Sequence, residues 1–159
     1  MAARTISILK FVGTVSLGIS TGISATLSTI ALPSLLALPT AINARTTYTY
    51  LSTKSQYYTA YLRHITTFTL FSAYLLSPRR FRHPYLLYTS ILSFVSGPGI
   101  DYFAAEQRSM MELEAQGDEV NGEQVREAVE RKKVVESGKA VLAGAAFAMG
   151  VVGLWGDGA

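Results

Sequence analysis

The sequence predicts an all-α integral membrane protein, a bundle of about four transmembrane helices with a short charged, partly helical loop before the last. Three observations carry this. Apolar residues make up 49% of the 159 and charged residues 16%, against roughly 25% charged in ordinary globular domains. The carboxylates are segregated: residues 1–100 hold none, while ten of the eleven lie between Asp101 and Glu136 and the last is Asp157. A solvated surface uses both signs of charge, so a hundred residues without an acid point away from water. Finally, the chain contains long charge-free runs near the length of about 20 apolar residues that crosses some 30 Å of hydrocarbon.

The charge-free run Phe11–Ala44 is 34 residues long, and the first span is expected at about Ile6–Thr29. Thr14, Gly18, Gly22 and Thr26 recur every fourth residue, which places small side chains on one face and lets a second helix approach closely. Pro33 and Pro39 are expected to end regular helix there, since proline lacks the N–H that continues it. The second span is the most polar. Its charge-free core, Ile65–Ser77, reaches membrane length only by including Tyr57–His64 and therefore Arg63. At a bilayer centre an arginine costs about 2.5–3.5 kcal/mol; near a helix end it reaches the headgroups, beside Tyr57, Tyr58 and Tyr61. The third span, Pro84–Ile100, opens on a proline at the first helical position, where the missing N–H has no partner to lose, and Gly97–Gly99 loosens its last turn.

Between Asp101 and Lys139 the composition turns charged and polar. Ser109 with Glu112 reads as a capping box, and Asn121 with Gln124 resembles one. Gly117–Gly122 reads as a turn between two short helices, the second carrying an apolar stripe (Val125, Ala128, Val129) and a Glu127–Arg131 pair of favourable order. Ala140–Gly156 is the fourth span; Ala140, Gly144 and Ala148 repeat the four-residue spacing and Trp155 suits an interface. The expected organisation is thus a three-span membrane region over 1–100, a charged soluble loop over 101–139, and a fourth span with a short tail over 140–159.

Functional residues are expected to be structural and interfacial. Gly18, Gly22 and Gly144 are the helix-packing candidates. Arg79, Arg80, Arg82 and His83 form a patch for lipid headgroups, each basic residue worth about 1 kcal/mol against an anionic leaflet, or for a protein partner. Ser109, in an acidic context, is the candidate phosphosite. With no cysteine there is no disulfide, thiolate metal site, cysteine nucleophile or lipidated cysteine, and Ala2 in place of glycine argues against myristoylation. The two histidines, His64 and His83, form no HExxH or paired-ligand spacing. Glycine spacings fit no phosphate loop, no GxSxG occurs, and no carboxylate lies deep in a span, which disfavours a proton- or cation-coupled transporter. No enzymatic activity, cofactor or nucleic-acid partner is expected. Membrane lipids are the expected partners, with protein partners and self-association open. From Ala104 to Lys139 there is no Phe, Tyr or Trp, so the loop offers no aromatic-x-x-aliphatic peptide for strand addition to a partner's sheet.

One stretch is more specific. Arg82-His83-Pro84-Tyr85-Leu86-Leu87-Tyr88, running into Ser93-Phe94-Val95, resembles the signature of the fungal autophagy-related protein 33 family. Lys10, Ser16-Leu17-Gly18-Ile19 and Gly22 resemble that family's first span, and Gly153-Leu154-Trp155-Gly156-Asp157-Gly158 its closing turn. The resemblance covers both ends and the third span, about half the chain. It implies a multi-pass protein of the outer mitochondrial membrane, required for selective autophagy of mitochondria (mitophagy) and acting with that machinery rather than as an enzyme. The short loop departs from the family, having only Ser109 and Ser137 as hydroxyls, and the second span matches only in position and character. A small transporter or channel subunit, or an assembly factor for a membrane complex, would fit the composition alone. Basic residues count five on the side of the termini and nine on the side of the acidic loop, so the positive-inside rule places that loop in the cytosol.

Overall fold

Ser and Thr can be carried inside a helix when the hydroxyl returns its proton to a carbonyl one turn back, which satisfies it locally although it adds little to helix stability. The computed structural model describes residues 2–78, 83–100 and 121–156, and these residues form helices and connections with no strand among them. Helix α1 spans Ala2–Thr26, with Thr21 Oγ1 donating to the Leu17 carbonyl at 2.9 Å. The helix does not end at Pro33 as expected. Ser28 Oγ and Thr29 Oγ1 both donate to the Ala25 carbonyl, at 3.0 and 2.7 Å, and the next turn, Leu27–Ala31, widens to a π-helix in which Leu32 N–H reaches the Leu27 carbonyl. A wide turn makes room ahead of a proline that would otherwise crowd the carbonyl four residues back. The chain therefore passes Pro33 as the short helix α2, Leu32–Leu35.

Helix α3 spans Ala41–Leu76. It starts at Thr40, whose side chain accepts from Asn43 N–H at 3.3 Å, and stops at Ser77, which is extended because Pro78 disfavours helix at the residue before it. The expected second span is the C-terminal part of this longer rod. Helix α4, Pro84–Val95, opens on Pro84 as anticipated. Helix α5, Gly122–Gly156, is capped by Asn121 Oδ1, which accepts from Glu123 N–H at 3.0 Å. Here the expected boundary between a soluble loop ending at Lys139 and a span beginning at Ala140 does not appear as a break. Glycine at 138 is followed by alanine, leucine and valine, which carry the helix on without a capping signal. Residues 101–120, with the expected turn at Gly117, lie outside the described residues.

The helices run alternately down and up. Helix α1 packs on α3 and α5, and α4 packs on the same two, leaving α3 and α5 diagonal. Two cores follow. Ile6, Leu70, Ala73 and Leu86, with Leu17, Ala143 and Ala146 deeper in, fill the part where four helices are present. Leu32, Leu35, Ala44, Tyr48, Val125, Ala128 and Val129 fill a part built from α1–α2, α3 and α5 alone. The first is called the upper part below and the second the lower part.

Two stretches of helix are long and apolar enough to cross a membrane, Arg4–Leu35 and Gly122–Gly156, each reaching a mean hydropathy of 1.5 over 18 residues. Only 28% and 22% of those windows is buried, whereas the core helix of a soluble protein is mostly buried. The expected count of four spans finds less support from single helices: α3 is long but polar in its first half, and α4 is apolar but has 12 residues.

Candidate functional site

In the upper part Leu17, Leu70 and Leu86 are buried as in a water-soluble protein, but burial is inverted for the aromatic and hydroxyl side chains around them. Phe11, Phe68, Phe71, Phe94, Val141, Val152 and Trp155 are exposed, Phe68 to 72% and Trp155 to 81%. The interior holds Thr14, Thr66, Thr69, Thr89, Ser90, Ser93 and Ser96 beside Ala73 and Ala146, with Thr66 and Thr89 fully buried. Three of these hydroxyls are satisfied one turn back: Thr69 Oγ1 donates to Ile65 O at 2.7 Å, Ser90 Oγ to Leu87 O at 2.8 Å and Ser96 Oγ to Ser93 O at 2.8 Å, whereas Thr89 Oγ1 is buried without a hydrogen bond among the described residues. Small hydroxylated residues let backbones close in, and their polar atoms cost little once bonded.

Glycines mark the closest approaches. A Cβ on Gly13 would stand 2.7 Å from Leu70 and Thr69 side-chain atoms, and Thr66 Oγ1 donates across to the Gly13 carbonyl at 3.4 Å. This α1–α3 contact lies off the Thr14–Gly18–Gly22–Thr26 face read from the sequence, and a stripe search at four-residue spacing passes over it. The stripe itself faces α5 for part of its length. A Cβ on Gly18 would meet the Phe147 ring at 2.8 Å, one on Gly144 would stand 3.5 Å from Thr21, and Gly22 has open space around it. Of the three packing candidates, the structure therefore brings Gly18 and Gly144 into the α1–α5 interface and leaves Gly22 outside.

At the upper end the three sequence stretches with the family-like pattern converge on one ring. Tyr85 sits where a Cβ on Gly153 would approach it to 2.5 Å, and Lys10 Nζ lies 5.9 Å from the Tyr85 ring centroid. A cation within about 6 Å of an aromatic face is attracted by the ring quadrupole. His83, extended at the start of α4, places its ring 6.1 Å from the same tyrosine. Arg79, Arg80 and Arg82 of the expected patch lie outside the described residues, as does Ser109.

Where α4 ends, the interior turns charged. Arg63 of α3 fills the space that a Cβ on Gly97 would need, so its guanidinium lies against the C-terminal turn of α4, where helix carbonyls concentrate partial negative charge. Lys139 joins Arg63, Ser20, Ser24, Thr59, Ser93 and Ser96 around a cavity of about 20 Å³, room for roughly one water. Below it Glu136 bridges two lysines on α5: Oε1 stands 3.2 Å from Lys139 Nζ and 3.4 Å from Lys132 Nζ. All three residues are buried. Sequence spacing alone shows these as ordinary i,i+3 and i,i+4 pairs; only the neighbouring helices make them internal. No cluster of three or more His, Asp or Glu side chains suited to a metal occurs among the described residues.

In the lower part, burial returns to the pattern expected in water. Leu32, Tyr48 and Val129 are inside, while Arg126–Glu130 and Glu127–Arg131 pair on the exposed face of α5 at 3.5 and 2.7 Å. Burial pushes the Tyr48 hydroxyl pKa above its usual value, with Ser52 opposing the shift.

Comparison with known proteins gives the family. The profile of the family described as Autophagy-related protein 33 matches residues 1–139. Autophagy-related protein 33 of Gibberella zeae is 36% identical over 184 aligned residues, covering 98% of this chain and 93% of that protein. No solved structure matches the chain. From the acid-free first span through the Tyr85 stretch to the middle of α5, the chain belongs to the autophagy-related protein 33 family.

Proposed function

We propose that this chain is a four-pass, non-enzymatic protein of the outer mitochondrial membrane that serves mitophagy by presenting its lower part and acidic loop to protein partners. The observation that carries the membrane reading is the inverted burial of aromatic and hydroxyl side chains in the upper part. Lipid tails are as apolar as a leucine side chain, so large apolar residues lose nothing by facing outward, and the interior is selected for small and locally bonded residues.

A slab drawn on this basis has physical edges. Tyr57, Tyr58 and Tyr61 are exposed at its lower rim and Trp155 at its upper rim, as amphipathic rings are at membrane interfaces. From Tyr57 to Leu76 a helix rises about 28 Å, close to the hydrocarbon thickness. The polar first half of α3 then lies in water, which is why the whole helix reads as too polar to cross. Helix α4 with its last turn reaches from the upper rim to Arg63 and Lys139, whose charges sit at the lower rim. Below, α5 extends about 25 Å from Gly122 to Gly138 beyond the slab.

Mitochondrial routing is supported by the acid-free N-terminal stretch, since such signals avoid acids. The autophagy role is supported by the name of the matched family. The count of basic residues favours a cytosolic lower part. A transporter reading gains nothing from the polar cavity, which has the volume of a single water.

Two measurements test the proposal. Alkaline carbonate should leave the chain in the mitochondrial pellet; release to the supernatant removes the membrane reading. Deletion of its gene should slow mitochondrial turnover under starvation, with restoration by the intact chain. Unchanged turnover in the deletion sinks the mitophagy assignment and leaves the membrane reading standing.

A further inference from the structure

Between α1 and α5, on the outward face of the upper part, lies an apolar groove of about 500 Å³ lined by Phe11, Thr14, Val15, Gly18, Ile19, Phe147, Val151 and Leu154. We propose that it seats one acyl chain of an anionic phospholipid whose headgroup is held by Arg4. The proposal rests on the membrane reading above and adds a lipid of stated charge at a stated place.

The shape of the groove selects a thin, flexible occupant. Its floor is closed from within, because the Phe147 ring occupies the hollow over Gly18. Phe11, Val15, Ile19 and Val151, all exposed, stand up along it as large or branched side chains. A second helix needs small residues along the contact so that backbones can approach. The small residues of the lining do not reach this rim, since Thr14 is buried and Gly18 is covered by the Phe147 ring; the open glycine of α1, Gly22, lies outside the lining. From Phe11 to Ile19 the slot runs about 12 Å along the helix axis, lengthwise to the slab as an acyl chain lies.

Charge selects the headgroup. Arg4 is exposed and lies seven residues before Phe11, two turns up on the same face of α1. No carboxylate occurs in residues 1–100 to neutralise it. Trp155, adjacent to Leu154 at the top of the groove, is exposed at headgroup level. A headgroup of net negative charge above an apolar slot matches both features; in a zwitterionic headgroup the ammonium offsets the attraction of the shared phosphodiester for Arg4.

The test uses the full chain purified in detergent and offered equal amounts of phosphatidylglycerol and phosphatidylcholine, with retained lipid read by native mass spectrometry. One phosphatidylglycerol per chain is expected. Val15→Trp fills the groove and should abolish retention, whereas Val12→Trp, on the same helix but outside the lining, should leave it unchanged. Arg4→Gln, at an exposed site that the fold does not need, should lower phosphatidylglycerol retention about fivefold, the equivalent of ~1 kcal/mol for one basic side chain at an anionic surface. Equal retention of the two lipids, full retention in Val15→Trp, or a lipid-free dimer abolished by Val15→Trp would each overturn the proposal. A chain that resists carbonate yet retains no lipid removes this inference alone, while a chain released by carbonate removes the membrane reading beneath it.

Discussion

The upper and lower parts of this molecule are built on the same helices but obey opposite rules. In α5 the change happens within one unbroken rod: before Lys132, Val125, Ala128 and Val129 are inside and the Arg126–Glu130 and Glu127–Arg131 pairs outside, and the Lys132–Glu136–Lys139 cluster that follows is buried. Above Lys139, Ala143, Ala146 and Gly150 are inside, and Val141, Val152 and Trp155 are outside. Helix α3 changes in the same sense, from a buried Tyr48 to an exposed Phe68. One helix cannot satisfy both patterns in one solvent. On the membrane reading proposed above, the dividing level at Arg63 and Lys139 is a solvent boundary rather than a domain boundary.

The strongest way to break that boundary is to unbalance its charges. Glu136→Ala leaves Lys132 and Lys139 buried without the carboxylate between them, which should cost about 3–5 kcal/mol. The expected result in detergent is a markedly lower melting temperature, with Glu136→Gln intermediate because a hydrogen-bonding group remains. A melting temperature equal to the parent would mean that the cluster is open to water.

Matched lysine substitutions compare the two parts directly. Phe68→Lys places a charge on the outer face of the upper part and should cost about 2.5–3.5 kcal/mol on insertion. Tyr50→Lys, at an equally exposed position of the same helix, should cost almost nothing. Membrane-integrated fraction after carbonate treatment reads the difference; equal behaviour of the two variants would erase the contrast.

Glycine substitutions sharpen the interior of the upper part. Gly13→Leu must displace Leu70 and Thr69, and overpacking of this kind costs roughly 1–3 kcal/mol or more. Gly18→Leu should cost somewhat less, since Phe147 lines an open groove and can turn. Gly22→Leu should be tolerated because its surroundings are open. Steady-state level and thermal stability in detergent check the order, and a damaging Gly22→Leu would reveal a contact outside this single chain.

The smallest effect belongs to the lower core. The Tyr48 pKa is raised by burial above its usual value of 10.0, so the folded state holds this proton more tightly than the unfolded chain. Stability from the neutral hydroxyl is complete below that value and declines as pH rises through it toward the folded pKa. Tyr48→Phe should remove this part of the alkaline decline, measured as melting temperature against pH from 9 upward (about the range where tyrosine titrates); an identical profile in the variant would show that Tyr48 is hydrated.

Much of this was legible in the sequence because it depends on near neighbours along the chain. Proline at position 84, the Asn121 cap, the Glu127–Arg131 pair and the charge-free runs are local patterns, and the structure contains each of them. The family resemblance was likewise local, read from short stretches such as Tyr85 and its neighbours. What only the tertiary structure decided concerns faces. Which glycine is crowded, that Lys10 and Gly153 meet at Tyr85, that Arg63 occupies the space over Gly97 and that Glu136 lies buried between two lysines all depend on which helix stands opposite. Hydrophobicity could not supply those assignments. In water, apolar residues mark the buried face of a helix; against lipid, both faces can be apolar, and the choice of interface passes to small side chains whose contacts form only when the helices come together.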